Sequence, residues 1–287
     1  MHLLQYNTHL FLDTLLNLGP EYQDELRLEH IINRINASGA DIIGLNEIWA
    51  DSVKDTIIKR TARSYQYSFY QPNTDNFKLG SGLLLLSKHL ITKPKFTGYT
   101  DLVGSDAFSH KGFISANILA KLDGKVFSYW VVITHTQSGA SPADIAARRV
   151  GFDQMWSAIR GLPFGTNPLL VFGDLNVIGE SGGRPTVEYS WLKAKLGSLG
   201  LKDLFRVVHP DAFTVPGYTF DWFTNALARI FTPNEKVKER LDYVFARNLP
   251  GDEKALIIDV ILDYKYNDPK TPYQMDLSDH YPLNLQM

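Results

Sequence analysis

The chain has 287 residues, 44% of them hydrophobic, 21% charged and 12% aromatic, enough to bury the core of one large α/β domain or two smaller ones. Its 29 lysines and arginines against 31 acids leave a formal charge of −2, which counts against a strongly basic nucleic-acid binder. With no cysteine, disulfides, thiolate metal sites, iron–sulfur clusters and a cysteine nucleophile are excluded together.

In chain order, the stretch from Met1 to Asn7 has neither a basic n-region nor a long apolar h-region, so it does not read as a signal peptide. Localisation therefore stays open between cytoplasmic, secreted by a route without a signal, and a mature secreted form. Leu3 to Tyr6 reads as an opening strand. Leu28, Ile31, Ile32 and Ile35 recur at helical spacing in a segment that ends at Ser38-Gly39. Ile42 to Leu45, Ser68 to Tyr70 and Gly82 to Ser87 read as short strands. Phe113 to Lys121 and Val126 to Thr134 flank Asp123-Gly124, a hairpin signal that demands antiparallel pairing. A helix is predicted over Ala143 to Ile159, a buried strand over Leu169 to Phe172 and a helix over Ser190 to Leu196. Arg240 to Ala246, Ala255 to Leu262 and Tyr281 to Leu285 read as late strands.

No apolar run approaches the roughly 18 residues a spanning helix needs. No linker, repeat or low-complexity tract divides the chain, so residues 1–287 are expected to form one domain with sheets inside and helices outside. The charged residues Lys236, Lys238, Glu239 and Arg240 read as a solvated face rather than a nucleic-acid groove.

The chemistry lies where strands end. Asn7, Asn46-Glu47, His135, Asp174 with Asn176, and Asp279-His280 each border a separate apolar run. Asn, Asp and Glu offer hard oxygen ligands suited to Mg²⁺, Mn²⁺ or Ca²⁺, and the histidines titrate near neutrality. Without a cysteine or a Gly-x-Ser-x-Gly elbow, no protein nucleophile is evident, which leaves water activated by a metal. Singly, each residue has an ordinary reading as a turn, a cap or a half-buried polar group; five together at strand ends are harder to assign to accident.

These residues resemble a known family. Gln5-Tyr6-Asn7, Leu45-Asn46-Glu47, Thr134-His135-Thr136-Gln137, Gly173-Asp174-Leu175-Asn176, Arg240-Leu241-Asp242-Tyr243 and Ser278-Asp279-His280-Tyr281-Pro282 follow, in order, the motifs of the exonuclease–endonuclease–phosphatase superfamily with its pancreatic-DNase-like fold. Within it the chain is most similar to the neutral sphingomyelinases, through Leu45-Asn46-Glu47, the Asp106…Lys111-Gly112 segment and Thr219-Phe220-Asp221…Asn225. It departs from them at Thr8-His9, where Val-Tyr is usual, and at Phe220, where Trp is usual.

The resemblance implies an α/β (α+β type) four-layer sandwich, two packed, mostly antiparallel or mixed sheets flanked by helices. It implies a phosphoric diester hydrolase that cuts sphingomyelin to ceramide and phosphocholine with Mg²⁺, or with Mn²⁺ or another divalent cation. Glu47 and Asn7 would hold the metal, with Asp279 either a ligand or a supporting residue. His280 would be the general base, oriented by Asp242, while Asp174 and Asn176 position water and a phosphoryl oxygen. His135 would face the phosphate or the leaving alcohol. Lys111, with Asp106 as its alternative partner, and Asn225 are substrate or switch candidates; for Asp106 and Lys111 the plain reading is a solvent-exposed pair. Trp222 and Phe223 are expected to touch a phospholipid surface, the partner of a monomeric enzyme. Phe220 and Phe231 are assigned to loop packing. The rival readings are a related phospholipase C acting on other choline phospholipids, a nuclease on the same fold and a lipid-binding module without catalysis.

Overall fold

Period-two alternation decides the layering. In the computed structural model, which describes residues 1–14, 19, 22–75, 77–122, 124–251, 255–270 and 272–287, most long strands are buried on both faces. The chain opens with β1 (His2–Leu10), α1 (Asp24–Ala37), β2 (Ile42–Ile48), α2 (Asp51–Thr61), β3 (Tyr67–Phe69), β4 (Leu84–Ser87) and β5 (Leu90–Gly98). It continues through β6 (Gly112–Leu122), β7 (Lys125–His135), α3 (Pro142–Arg160), β8 (Leu169–Asp174), β9 (Glu180–Ser181), β10 (Arg184–Pro185) and α4 (Val187–Gly197). The last part holds β11 (Lys202–Asp203), α5 (Leu204–Val208), β12 (Phe220–Asp221), α6 (Ala226–Phe231), β13 (Lys238–Glu239), β14 (Asp242–Arg247), β15 (Ile257–Val260), β16 (Lys265–Asn267), β17 (Gln274–Asp276) and β18 (Leu283–Gln286).

Two six-stranded sheets result, in the orders β15-β18-β1-β2-β4-β3 and β11-β14-β8-β7-β6-β5. Both are mixed, because β1–β2 and β7–β8 run parallel while their other neighbours are antiparallel. Leu3, Ile42, Leu83, Leu85 and Leu283 of the first sheet pack against Ile114, Val131, Ile133, Leu170, Phe172 and Val244 of the second. The alternate residues turn outward: Leu4, Tyr6, Ile43 and Leu45 against α1 and α2, and Val132, Val171 and Phe245 in the core that includes residues of α3 and α4. The result is the expected helix–sheet–sheet–helix sandwich, and apolar residues on both faces explain why the strands read as near-continuous hydrophobic runs.

Asp123 lies outside the described residues, but β6 and β7 pair antiparallel up to Leu122 opposite Lys125, so the hairpin is present. Several short elements gave no clear signal, and neither did the longer α2 and β5. Helix α2 buries little beyond Val53, Lys54, Ile57 and Thr61. Strand β5 is an edge strand with exposed Lys93, Pro94 and Lys95 around a bulge, the usual protection of an unpaired edge. One further reading needs correction. Arg240 is 1% exposed, so it belongs to a buried ion network rather than a solvated face.

Two glycines let the sheets meet where the polar residues gather. A side chain at Gly44 would place its Cβ 2.4 Å from the Phe172 ring, which crosses from the other sheet. At Gly173 φ is +146°, and a Cβ there would lie 1.9 Å from the Thr134 carbonyl oxygen on the paired strand. Gly173→Ala is therefore expected to cost at least about 2 kcal/mol in denaturant unfolding and to shift Asp174. A variant as stable as the parent would show that the β7–β8 register tolerates the clash.

Candidate active site

The seam between the sheets is apolar along most of its length and turns polar at one end. Position by position on the inner faces, β1 runs Leu3-Gln5-Asn7, β2 Ile42-Gly44-Asn46, β7 Val131-Ile133-His135 and β8 Leu170-Phe172-Asp174, while β14 enters at Asp242. The register aligns them: Asn7 is opposite Asn46, His135 opposite Asp174, and Asp174 opposite Asp242. Four of these strands deliver their C-terminal ends to one mouth, the place where ligands gather in sheets of this kind.

Strict alternation would turn Glu47 away from the seam, towards the helices. Instead its backbone is left-handed, with φ 58°, beside a β1–β2 register irregularity between Asn7 and Leu10. His9 (φ 47°) and Asn176 (φ 49°) are left-handed too. Strained backbone of this kind costs about 1–3 kcal/mol per residue and persists only where the surroundings impose it.

The side chains form two linked groups. In the first, His135 Nε2 lies 3.7 Å from Glu47 Oε1 and 3.6 Å from Asp174 Oδ2. Asn7 Nδ2 bridges the same acids, donating to Glu47 at 2.8 Å and to Asp174 at 2.9 Å. In the second, His280 Nδ1 is 2.7 Å from Asp242 Oδ2, and its Nε2 is 3.9 Å from Asp174 Oδ2.

The surroundings push these groups apart in basicity. Burial, reinforced by the charges of Lys111 and His280, holds the His135 imidazole well below its ordinary pKa. For His280, burial also disfavours the cation, but the carboxylates of Asp242 and Asp174 outweigh it and raise the pKa well above the ordinary value. Burial and the adjacent Asp242 carboxylate push Asp174 up to about 7. One neutral and one basic histidine thus flank a shared carboxylate.

This donor set fits a hard divalent cation. Glu47, His135 and Asp174 each offer a ligand atom within 4.8 Å of the others, and the raised pKa of Asp174 marks a cluster of carboxylates short of positive charge. Asp279 stands outside both groups, its carboxylate 3.8 Å from His9 Nε2 and accepting from the Ser278 hydroxyl at 3.2 Å. Asn176 donates its amide to the Thr136 carbonyl at 3.2 Å, and its backbone N–H binds Asp174 Oδ1 at 2.9 Å.

Asn225 caps α6, accepting from Leu227 and Ala228, and donates to the Ser278 carbonyl two residues before His280. Lys111 is buried, with its Nζ 2.8 Å from Asp106 Oδ2 and 3.2 Å from the Thr136 carbonyl, so the pair is not solvent-exposed. Trp222 is half-buried, whereas Phe223 is 52% exposed, and Lys238 Nζ lies 5.2 Å from the Phe223 ring centroid. Phe220 is buried in T-shaped contact with His280, and Phe231 stacks on His9 and Tyr22.

Several supporting residues were not among the candidate site residues, although Gln5 and Thr219 lie in the segments that carry the family resemblance. The Gln5 amide donates to Asn46 and, at 3.2 Å, to Asp242. The Thr219 hydroxyl accepts the backbone N–H groups of Leu241 and Asp242, both at 3.1 Å. Arg148 grips Glu188 with two bonds of 2.8 Å and binds the carbonyls of Gln137 and Gly139, which steadies the chain beyond His135. Gln5 could have been flagged as a polar residue in phase with the inner apolar face of β1; Thr219 and Arg148 act through long-range contacts that no local pattern announces.

Known proteins resemble this chain along nearly its whole length. Sphingomyelinase C of Bacillus cereus is 23% identical over 314 residues, spanning 98% of this chain and 87% of that protein. A crystal structure of a Staphylococcus aureus beta toxin variant with bound magnesium ions superposes with a TM-score of 0.75 at 22% identity, covering 99% of this chain and 98% of that one. The crystal structure of sphingomyelinase C from Streptomyces griseocarneus matches equally, with a TM-score of 0.75, 23% identity and the same coverage. A model of the Endonuclease/Exonuclease/phosphatase family matches residues 4–280, from β1 to the histidine at the mouth. With the sandwich, the acid–histidine mouth and a match over nearly its whole length, the chain belongs to the Endonuclease/Exonuclease/phosphatase family.

Proposed function

We propose that the chain is a Mg²⁺-dependent phosphodiesterase that hydrolyses sphingomyelin to ceramide and phosphocholine at a membrane surface. The observation that carries this reading is the His280–Asp242 pair standing across one shared carboxylate, Asp174, from the Glu47–His135 group. The sphingomyelinase relatives support the choice of substrate.

Each residue's work follows from its surroundings. With His280 in its neutral form, Asp242 holds the Nδ1 proton and leaves Nε2 to accept a proton from water, stabilising the imidazolium that forms. A cation held beside Asp174 would offset the negative charge that otherwise keeps His280 protonated. Asp174 and Asn176 orient that water and a phosphoryl oxygen. His135, kept neutral by burial, offers one nitrogen to the phosphate side. Glu47 and Asn7, with Asp174 and His135 in reach, would hold the cation. When bound, that cation neutralises the crowded acids and stabilises charge on the phosphoryl oxygens. Lys111 is captured by Asp106, a state in which it cannot also reach the substrate; its release would be a switch. Phe223 and Trp222 supply an amphipathic rim for the lipid interface.

The test is phosphocholine release from sphingomyelin vesicles with Mg²⁺ and with EDTA, alongside plasmid DNA. Release that EDTA abolishes and Mg²⁺ restores is expected. Nicked DNA without phosphocholine would favour a nuclease. Asp106→Asn is expected to change turnover or its dependence on lipid; a variant unchanged in both removes the switch.

A further inference from the structure

Beside the mouth lies a second cavity of about 640 Å³ that the proposed mechanism leaves unused. Trp49 is the shared wall: it lines the cavity, and its ring centroid is 5.9 Å from that of His135. Phe77 and Phe108, 90% and 65% exposed, form the lip, and Asp13, Asp51 and Asp75 are the acids of the lining against one cation, Lys78. These carboxylates are already hydrogen-bonded to protein donors. Asp51 accepts from Lys54 Nζ at 2.9 Å and the Asn73 backbone at 2.7 Å, Asp75 from the Phe77 backbone at 2.7 Å, and Asp13 from the Ser52 hydroxyl at 2.8 Å.

Such a lining offers negative charge and aromatic faces more than free acceptors. A metal ion or a primary ammonium needs acceptors aimed at it, and a hydrocarbon tail gains nothing from carboxylates. A quaternary ammonium donates no hydrogen bond, is weakly hydrated and is drawn to ring faces and diffuse negative charge. Resting on the proposed activity, we propose that this cavity seats the trimethylammonium group of a choline phosphoester whose phosphorus lies at the Glu47–His135–Asp174 group, with Asp13 and Asp75 as its counter-charge. The two-carbon tether of choline carries the cation from the mouth past the Trp49 wall.

The test compares the parent with Asp13→Asn/Asp75→Asn. Each asparagine keeps the oxygen that accepts the Ser52 or Phe77 bond, and Asp75→Asn gives up only the partly exposed 3.3 Å contact of its other oxygen with His110 Nε2, so the melting temperature should hold. Binding of choline chloride and of its neutral isostere 3,3-dimethylbutan-1-ol is measured by calorimetry, and turnover is measured on sphingomyelin micelles and on bis(4-nitrophenyl) phosphate. The parent should prefer choline to the isostere. The double variant should lose that preference and raise the KM for sphingomyelin about tenfold (about 1.4 kcal/mol), with kcat and bis(4-nitrophenyl) phosphate hydrolysis unchanged. Equal binding of choline and the isostere by the parent, or choline binding unchanged in the variant, overturns the subsite. A parent that binds choline selectively but spares sphingomyelin supports the subsite and refutes the substrate reading.

Discussion

Replacing His280 with glutamine is expected to lower kcat on sphingomyelin about a thousandfold, within the range of 10²–10⁴ that a positioned proton acceptor supplies. The Gln5 amide still donates to Asp242 at 3.2 Å, so the buried carboxylate keeps a partner and the fold should survive, as a circular-dichroism melt would show. What disappears is the imidazole, whose Nε2 lies 3.9 Å from Asp174 and is the proposed proton acceptor. Asp242→Asn should cost less, because the imidazole stays in place and loses only the partner that fixes its tautomer and raises its basicity. A His280→Gln enzyme retaining more than a tenth of the parental kcat would remove His280 from the role of base.

Arg240→Ala should give the largest loss of stability, about 3–5 kcal/mol, because it strands buried charge. The Arg240 guanidinium binds Glu180 through two nitrogens, at 2.8 and 3.1 Å, and Asp203 through the third at 2.8 Å. Arg206 also reaches Glu180, so the variant leaves Asp203 worst served, with the Tyr189 hydroxyl at 2.6 Å as a remaining partner. A loss of that size should lower Tm by about 10 °C in a chain of this length. The same network makes stability depend on pH. Burial alone would raise the Glu180 pKa, but hydrogen bonds from Arg206 and Arg240 outweigh it and leave the carboxyl below its ordinary value. A pKa lowered by folding contributes stability above the unfolded-state value, lost as pH falls through the folded one. Acid should therefore cost the parent more stability than Arg240→Ala, and equal acid sensitivity would contradict the assignment. Because Arg240 lies two residues before Asp242, the variant should also lose activity.

The sandwich was legible in the sequence because its long strands are apolar on both faces, as were Asn7, His135 and Asp174, which sit where those runs stop; Asp242 was named from its motif alone. Glu47 was named from its place after the Ile42–Leu45 run as well as from its motif, but its direction could not be read: in a regular strand it would face α1 and α2, and only its left-handed backbone turns it inward. The Asp106–Lys111 pair looked like a surface feature because ten residues of sequence cannot show that the chain after His135 closes over it; Ser138 donates its N–H to Asp106 at 2.7 Å. Asn225 was noticed for its place in a motif, and its work is to cap α6 and tie down Ser278.

The left-handed backbone at Glu47 sets stability and activity in opposition. Glycine there would relax the conformation and remove one carboxylate from a crowded group, two changes that favour folding. It would also remove the acid best placed to hold the cation. Stabilising this protein by relieving its strained backbone would therefore converge on the very residue it has to keep, and the strain at Glu47 persists as a running cost of function.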